Sequence, residues 1–206
     1  MAAVLFDFGG VLSSSPFEAF ARYEAANGLP DGFVRSLNAT NPDDNAWARL
    51  ERNELGFDAF CQAFEAEAAA AGGRLDARSL FASFAGELRP AMLEAVARCR
   101  EHYKTGLLTN NFLTPLADQG DAGLGEVLAL FDAVVESSVV GVRKPDPRFY
   151  LLACDRLGVV PAQAVFLDDL GVNLKPARAL GMRTIKVTDG ATALTELEDV
   201  LGIPLR

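Results

Sequence analysis

The sequence predicts an α/β protein: a doubly wound parallel sheet carrying an inserted helical segment. Three observations predict it. Short apolar runs recur at 4–6, 105–108, 133–135, 164–167 and 182–187, each too short for a buried helix. From Pro90 onward these runs alternate with helical patterns, which implies parallel strands joined by right-handed crossovers. Residues 16–88 read as helix after helix and separate the first strand from the rest. The expected organisation is therefore a core of 1–15 and 89–206 with 16–88 as a helical unit, and no internal repeat or low-complexity linker interrupts it.

The first strand is Val4, Leu5 and Phe6, closed by Asp7. Gly9 and Gly10 follow, where the backbone can turn sharply and approach a ligand. Ser13 to Ser15 and Pro16 then break the pattern. A carboxylate at the carboxyl end of the first strand lies where such sheets bind ligands, yet the stretch alone fits equally a strand end with Asp7 capping a glycine turn. Phe17, Phe20, Ala21 and Glu24 have helical spacing, stopped by Asn27-Gly28, and Pro30-Asp31 restarts the chain. NPDDNAWARLERNEL reads as a helix capped by Asp43 or Asp44, with Trp47 and Leu50 on one face. The next helix puts Phe57, Phe60, Ala63 and Phe64 on one side and ends at Gly72-Gly73; another spans 76–86. Eight of the 14 phenylalanines fall in this segment, enough for a small core of its own, and helix packing accounts for them better than a substrate slot does.

PAMLEAVARCREH is a helix, and TGLLTN a second strand ending in Thr109, Asn110 and Asn111. A polar stretch, a helix around 121–130 and a strand in FDAVVES follow. VVGVRKPDPRFYLLACDRLG runs from loop to helix, with Pro147 suited to the first turn. AVFLDDLG is a fourth strand closed by Asp168 and Asp169; LKPARALG is a short helix, MRTIKV a fifth strand and TALTELEDVLG the closing helix.

At 206 residues, 50% hydrophobic and 23% charged, the chain can bury one good core and a small second one. A net charge of −9 argues against nucleic acid or an anionic membrane as partner, while leaving room for a local basic pocket. No stretch approaches a membrane span, and the first apolar run lacks a basic leader and the length of a signal peptide, so a cytoplasmic protein is expected. Cys61, Cys99 and Cys154 are widely spaced and read as packed, reduced thiols. The single His102 excludes paired-histidine metal sites and argues against a histidine-dependent triad.

Asp7, Thr109, Lys144, Asp168 and Asp169 all fall at strand or loop ends. Singly they say little: a lysine before proline is usually solvated, and Asp168-Asp169 could cap the next helix. Together they are coherent. Acids ending parallel strands can converge on one hard cation, and oxygen-only ligation suits Mg²⁺. A lysine and a threonine hydroxyl beside them would hold phosphate oxygens, and an aspartate next to a phosphoryl group can attack it.

The motifs FDFGGVL at 6–12, LLTNN at 107–111, VRKPDPRFY at 142–150 and FLDDLGVNLKPARALGM at 166–182 resemble those of the haloacid dehalogenase superfamily, in the same order and over essentially the whole chain. The last two are similar to those in the N-terminal phosphatase domain of soluble epoxide hydrolase. The resemblance implies a HAD-like core with 16–88 as its cap, a phosphorylated small-molecule substrate and Mg²⁺ as cofactor. It implies that Asp7 is the nucleophile, that Thr109 and Asn110 bind the phosphoryl group, and that Lys144 neutralises it and orients Asp7. Asp7, the carbonyl of Gly9 and Asp169 would be metal ligands, with Asp168 supporting through water or Lys144 and Asn173 orienting Asp169. One departure matters. Phosphatases of this superfamily usually carry a second aspartate two residues after the nucleophile, as acid and base; this chain has Gly9. The implied activity is Mg²⁺-dependent phosphomonoester hydrolysis through an aspartyl phosphate. The alternatives are a C–halogen hydrolase, which needs no Mg²⁺, and a non-catalytic module that binds a phosphorylated ligand or a partner.

Overall fold

The structure is a computed structural model that describes residues 1–84, 86–110 and 122–206. Asn111 and the polar stretch after it lie outside the described residues, apart from the helix at their end.

Five strands, β1 (Ala3–Phe6), β2 (Lys104–Thr109), β3 (Ala133–Glu136), β4 (Ala164–Asp168) and β5 (Arg183–Lys186), form one sheet in the order β3-β2-β1-β4-β5, every pair parallel. All five coincide with the apolar runs of the sequence. Burial on both faces keeps the inner parallel strands apolar; β1 is inaccessible along its whole length, whereas edge strand β5 exposes Arg183 and Lys186.

The period-2 alternation of the strands feeds two cores. Val4 and Phe6 of β1 point to one face, with helices α6 (Pro90–Arg100), α7 (Ala122–Leu128) and α11 (Gly190–Leu201). Ala3 and Leu5 point to the other, with α9 (Pro147–Leu157) and α10 (Gly171–Ala179). Proline opens α6 and α9, where its missing N–H is no loss, and left-handed Gly158 and Gly202 close α9 and α11.

Between β1 and β2 the chain makes α1 (Pro16–Asn27), α2 (Phe33–Ala39), α3 (Ala46–Glu51), α4 (Phe57–Ala70) and α5 (Ala77–Ala82). Their buried side chains, Phe20, Trp47's neighbours Phe60 and Phe64, and Leu80 among them, form a third core drawn only from this segment. The two strands of chain that enter and leave this layer run side by side. Ser13 and Leu88 form an antiparallel bridge, Ser14 N–H donates to Glu87 O (2.8 Å) and Arg89 N–H to Leu12 O (2.8 Å).

Several local expectations change. The N-cap of α3 is Asn45, not Asp43 or Asp44, because its side chain reaches the Ala48 N–H at 2.8 Å. The helix expected over 76–86 stops at Ala82. Phe57 shares a helix with Phe60 and Phe64 but is 38% exposed, since it sits at the first position of α4. A short helix α8 (Ser137–Val140) replaces the start of the loop after β3 and ends at left-handed Gly141. Helix α10 begins at Gly171, before Leu174, because the preceding Leu170 N–H is already held by Asp168 Oδ1 at 2.8 Å.

Candidate active site

The order of the sheet places the site. From β1 the chain winds outward through β2 and β3, then crosses back to β4 on the other side of β1. Loops leaving the carboxyl ends of β1 and β4 therefore diverge and open a crevice. Asp7 follows β1 and Asp168 ends β4, and their backbones are tied together by the Asp7 N–H donating to Leu167 O at 2.9 Å.

Lys144 closes the arrangement. Its side chain is 1% exposed, and its Nζ lies 2.7 Å from Asp7 Oδ1 and 2.8 Å from Asp168 Oδ2. It is no solvated loop residue. Its backbone is gripped by Asn110, whose amide donates to Lys144 O (2.9 Å) and accepts from Lys144 N–H (2.8 Å). The Asn110 carboxamide therefore holds the lysine through one N–H and its carbonyl oxygen. Thr109, at the end of β2, is buried, and its register partner is Glu136 of β3.

The two adjacent acids have different surroundings. Asp168 is fully buried and takes hydrogen bonds from Lys144, from the Leu170 N–H and from Asn173 Nδ2, which reaches both oxygens at 3.1 Å. Asn173 thus orients Asp168, not Asp169: two residues into a helix, it faces back over the strand end. Asp169 accepts only a 3.3 Å bond from Ser15 Oγ among the described side chains. It lies against Gly10, whose φ is 76° and where a Cβ would fall 2.3 Å from Asp169 Oδ2. Only glycine serves both demands. Asp7 Oδ1 accepts also from the Phe8 N–H at 2.7 Å, so the turn after β1 points an amide at the carboxylate.

Burial pushes the Asp7 carboxyl well above its usual range; Lys144 opposes this and Asp168 adds to it. Asp169 is raised by burial and by Asp168. Burial alone would lower the Lys144 ammonium, but Asp168 and Asp7 outweigh it and hold it raised. Three carboxylates facing one ammonium leave uncompensated negative charge. Oxygens of Asp7, Asp168 and Asp169 lie within 4.8 Å of one another, and this all-oxygen donor set fits a hard divalent cation.

Sequence reasoning missed Ser15 and Arg89. Ser15 meets Asp169 across 154 positions. The Arg89 guanidinium donates to Gly10 O at 2.8 Å, across 79. Neither carries a local signal.

A parallel α/β sheet that gathers carboxylates, not a glycine-rich dinucleotide loop, at its switch point defines a class of Rossmann-like enzymes that work through strand-end acids. Comparison with known proteins narrows the class. The profile of the haloacid dehalogenase-like hydrolases matches residues 1–181, and the chain belongs to that family. It is 37% identical to acyl-CoA dehydrogenase family member 10 of Mus musculus, over 98% of this chain and 19% of that protein. It is 36% identical to bifunctional epoxide hydrolase 2 of Sus scrofa, over 100% of this chain and 40% of that protein. The chain thus spans well under half the length of these two relatives. Phosphatase MT3486 of Mycobacterium tuberculosis is 32% identical over 91% of this chain and 87% of its own. Among solved structures, a HAD-like hydrolase of Porphyromonas gingivalis superposes with a TM-score of 0.71 at 22% identity, over 98% of each chain. A Bacteroides thetaiotaomicron HAD-family enzyme, in complex with magnesium and inorganic phosphate, gives 0.62 at 18% identity, over 90% of this chain and 93% of that one. At these identities the two structures speak for the fold. Among the described residues no helix is long and apolar enough to cross a membrane.

Proposed function

We propose that the protein is a Mg²⁺-dependent phosphomonoester hydrolase that works through an aspartyl phosphate, with helices α1–α5 as a cap over the site. The observation that carries this reading is the excess of three clustered carboxylates over one buried ammonium. A C–halogen hydrolase has no use for that excess; a metal-dependent phosphatase does. The phosphatase name of one long-matching relative supports the same reading.

In this reading Asp7, Asp169 and the Gly9 carbonyl would hold the ion. When bound, Mg²⁺ balances the carboxylates and draws charge from the phosphoryl oxygens. Asp168, with its oxygens already engaged by Lys144, Asn173 and Leu170, keeps the lysine in place. The substrate's phosphoryl oxygens face the Lys144 ammonium and the Thr109 hydroxyl. An Asp7 carboxylate oxygen attacks phosphorus, the ester P–O bond breaks, and the departing oxygen takes up a proton. Water then attacks the phosphorus of the aspartyl phosphate, releases inorganic phosphate and returns Asp7 as a carboxylate. Gly9 offers no acid for the first proton and no base for the water, so both transfers fall to another group or to water. The attack needs Asp7 ionised: burial works against that form, and the Lys144 ammonium at 2.7 Å works for it.

The test is turnover of an aryl phosphate with Mg²⁺ and with EDTA. Hydrolysis should require Mg²⁺ and vanish in Asp7→Asn, whose amide is a poor nucleophile. Residual hydrolysis in a clean Asp7→Asn preparation would remove Asp7 from this role. Turnover of a 2-haloacid in EDTA would make the protein a dehalogenase. Gly9 favours one other reading: vanadate binding without turnover across a panel of phosphorylated metabolites would mark a phospho-ligand-binding module.

A further inference from the structure

Arg143 immediately precedes Lys144, and the Asn110 grip on the lysine backbone fixes where the arginine starts. Its side chain leaves the sheet domain and enters the helical layer. Nη1 donates to Pro42 O at 2.7 Å, just before α3, and Nε lies 2.6 Å from Glu51 Oε2, at the end of α3. One guanidinium therefore joins the turn that precedes α3 to the last residue of that helix, with two donors of one planar fork. Glu51 is held from its other side by Trp47, whose indole N–H donates to Oε1 at 2.9 Å. The two charged side chains are 21% and 12% exposed, well below the exposure at which an ion pair contributes little.

The remaining ion pairs among the described residues stay within one unit. Arg52–Glu54 and Arg78–Asp58 lie inside the helical layer; Arg98–Glu94, Arg100–Asp132, Arg148–Asp146, Arg206–Glu198 and both Lys144 pairs lie inside the sheet domain. Arg143–Glu51 is the pair that joins the two.

We propose that Arg143 is a positioning residue that seats the helical layer over the site, gripping Glu51 and Pro42 of the α3 region and thereby tying closure to the residue beside Lys144. The proposal rests on the reading of α1–α5 as a cap. When the layer lifts, both charges separate and hydrate; when it seats, they pair out of water. The pair sets the closed fraction, and a substrate that requires the closed form binds more weakly in proportion to the fraction lost. At saturation substrate binding itself drives closure, so turnover is spared.

Trp47 is the single tryptophan of the chain and touches Glu51, so its fluorescence reports the clamp without substrate, metal or activity. Arg143→Ala and the near-isosteric Glu51→Gln should each shift Trp47 emission, raise its acrylamide quenching and speed hydrogen exchange at the crossings 13–16 and 86–90. Arg143→Lys should fall between. If the parent hydrolyses a phosphate ester, Arg143→Ala should raise KM about tenfold and leave kcat within about twofold. The double variant should be no worse than either single one, as for two halves of one interaction. Native thermal stability with unchanged Trp47 quenching and unchanged exchange in both single variants would overturn the proposal. A fall in kcat at constant KM would also overturn it, because Arg143 would then act on Lys144 itself. If the parent is not a phosphatase, the fluorescence and exchange arms still decide.

Discussion

Lys144 is buried between Asp7 and Asp168, and that burial decides what each neighbouring acid can be replaced with. Removing Asp168 leaves a buried ammonium one partner short and also frees Asn173. Breaking such a pair costs about 3–5 kcal/mol, so Asp168→Ala should lose most of the stability of the sheet domain. Asp169→Ala gives up one 3.3 Å hydrogen bond and should stay within about 1 kcal/mol of the parent. In activity the order should reverse in kind: Asp169→Ala folds but needs far more Mg²⁺. Denaturant melts and Mg²⁺ titrations of the two variants check this, and indistinguishable pairs of curves would count against it. Gly9 supplies a second test. Its φ lies outside the left-handed region, and an added Cβ would meet Pro16 Cγ and Cδ at 3.3 Å, so an aspartate fits if Pro16 gives by a few tenths of an ångström. Gly9→Asp should fold and speed alkyl phosphate hydrolysis by about 100-fold, the lower end of general acid–base help, with a smaller gain on aryl phosphates. A folded variant that is no faster on either class would show that the missing acid is not what limits the rate. At this scale the sequence singles out the candidate residues, because Asp7, Thr109, Lys144 and Asp168 interrupt or follow apolar runs. It does not reveal their partners: that Asn173 serves Asp168, and that Asn110 holds a lysine backbone 34 positions away, depends on the folded sheet edge.

Three helices of the inserted segment are begun by glutamates from other helices. Helix α2 starts at left-handed Gly32 with no capping side chain of its own; Glu24 of α1 instead accepts from the Gly32 and Val34 N–H groups, both at 2.8 Å. Glu67 of α4 accepts from the Ala46 N–H of α3, and Glu65 from the Ala77 N–H of α5. This explains why α2 has no local signature, its acceptor lying 8 to 10 positions back; α3 and α5 have local caps as well, Asn45 and Asp76, and the glutamates add a second acceptor. Helices that carry their own signals, such as α9 with Asp146 before Pro147 and Gly158 after Leu157, are legible directly. Glu24→Ala should leave the buried Val34 amide and the exposed Gly32 amide without their acceptor and cost about 1–3 kcal/mol, felt first as faster exchange at Val34. Exchange at those two amides that matches the parent would mean water replaces the carboxylate.

Over the whole molecule, β1 and β4 are legible in the sequence because they are buried on two faces and have no polar side to confuse the pattern, while edge strand β5, with Arg183 and Lys186 exposed, is legible from its place in the strand–helix alternation. Their order is not written in any local stretch. It follows from the crossing that carries the chain from β3 past β1 to β4, and that crossing creates the crevice where Asp7 and Asp168 meet. The segregation of the phenylalanines is legible as well: their cluster between α1 and α5 is a separate core, and neither core of the sheet contains a residue from it.

The bridge between Ser13 and Leu88 has a consequence for how such proteins diversify. To the sheet domain, the whole helical layer is the loop of a hairpin whose stem is already zipped. Loop-closure entropy grows slowly, by about 0.6 kcal/mol for each doubling of length, so what hangs on that stem can be exchanged at little thermodynamic cost to its host. Grafting, shortening or losing the layer would retune which molecules reach the acids without rebuilding them. Replacing residues 15–86 with an Asn-Gly turn should accordingly give a folded, less helical protein that keeps the melting behaviour of the α/β core and admits bulky phosphorylated peptides. Circular dichroism and a phosphopeptide assay would read both properties, and an insoluble or molten product would mean that the host has come to depend on its guest.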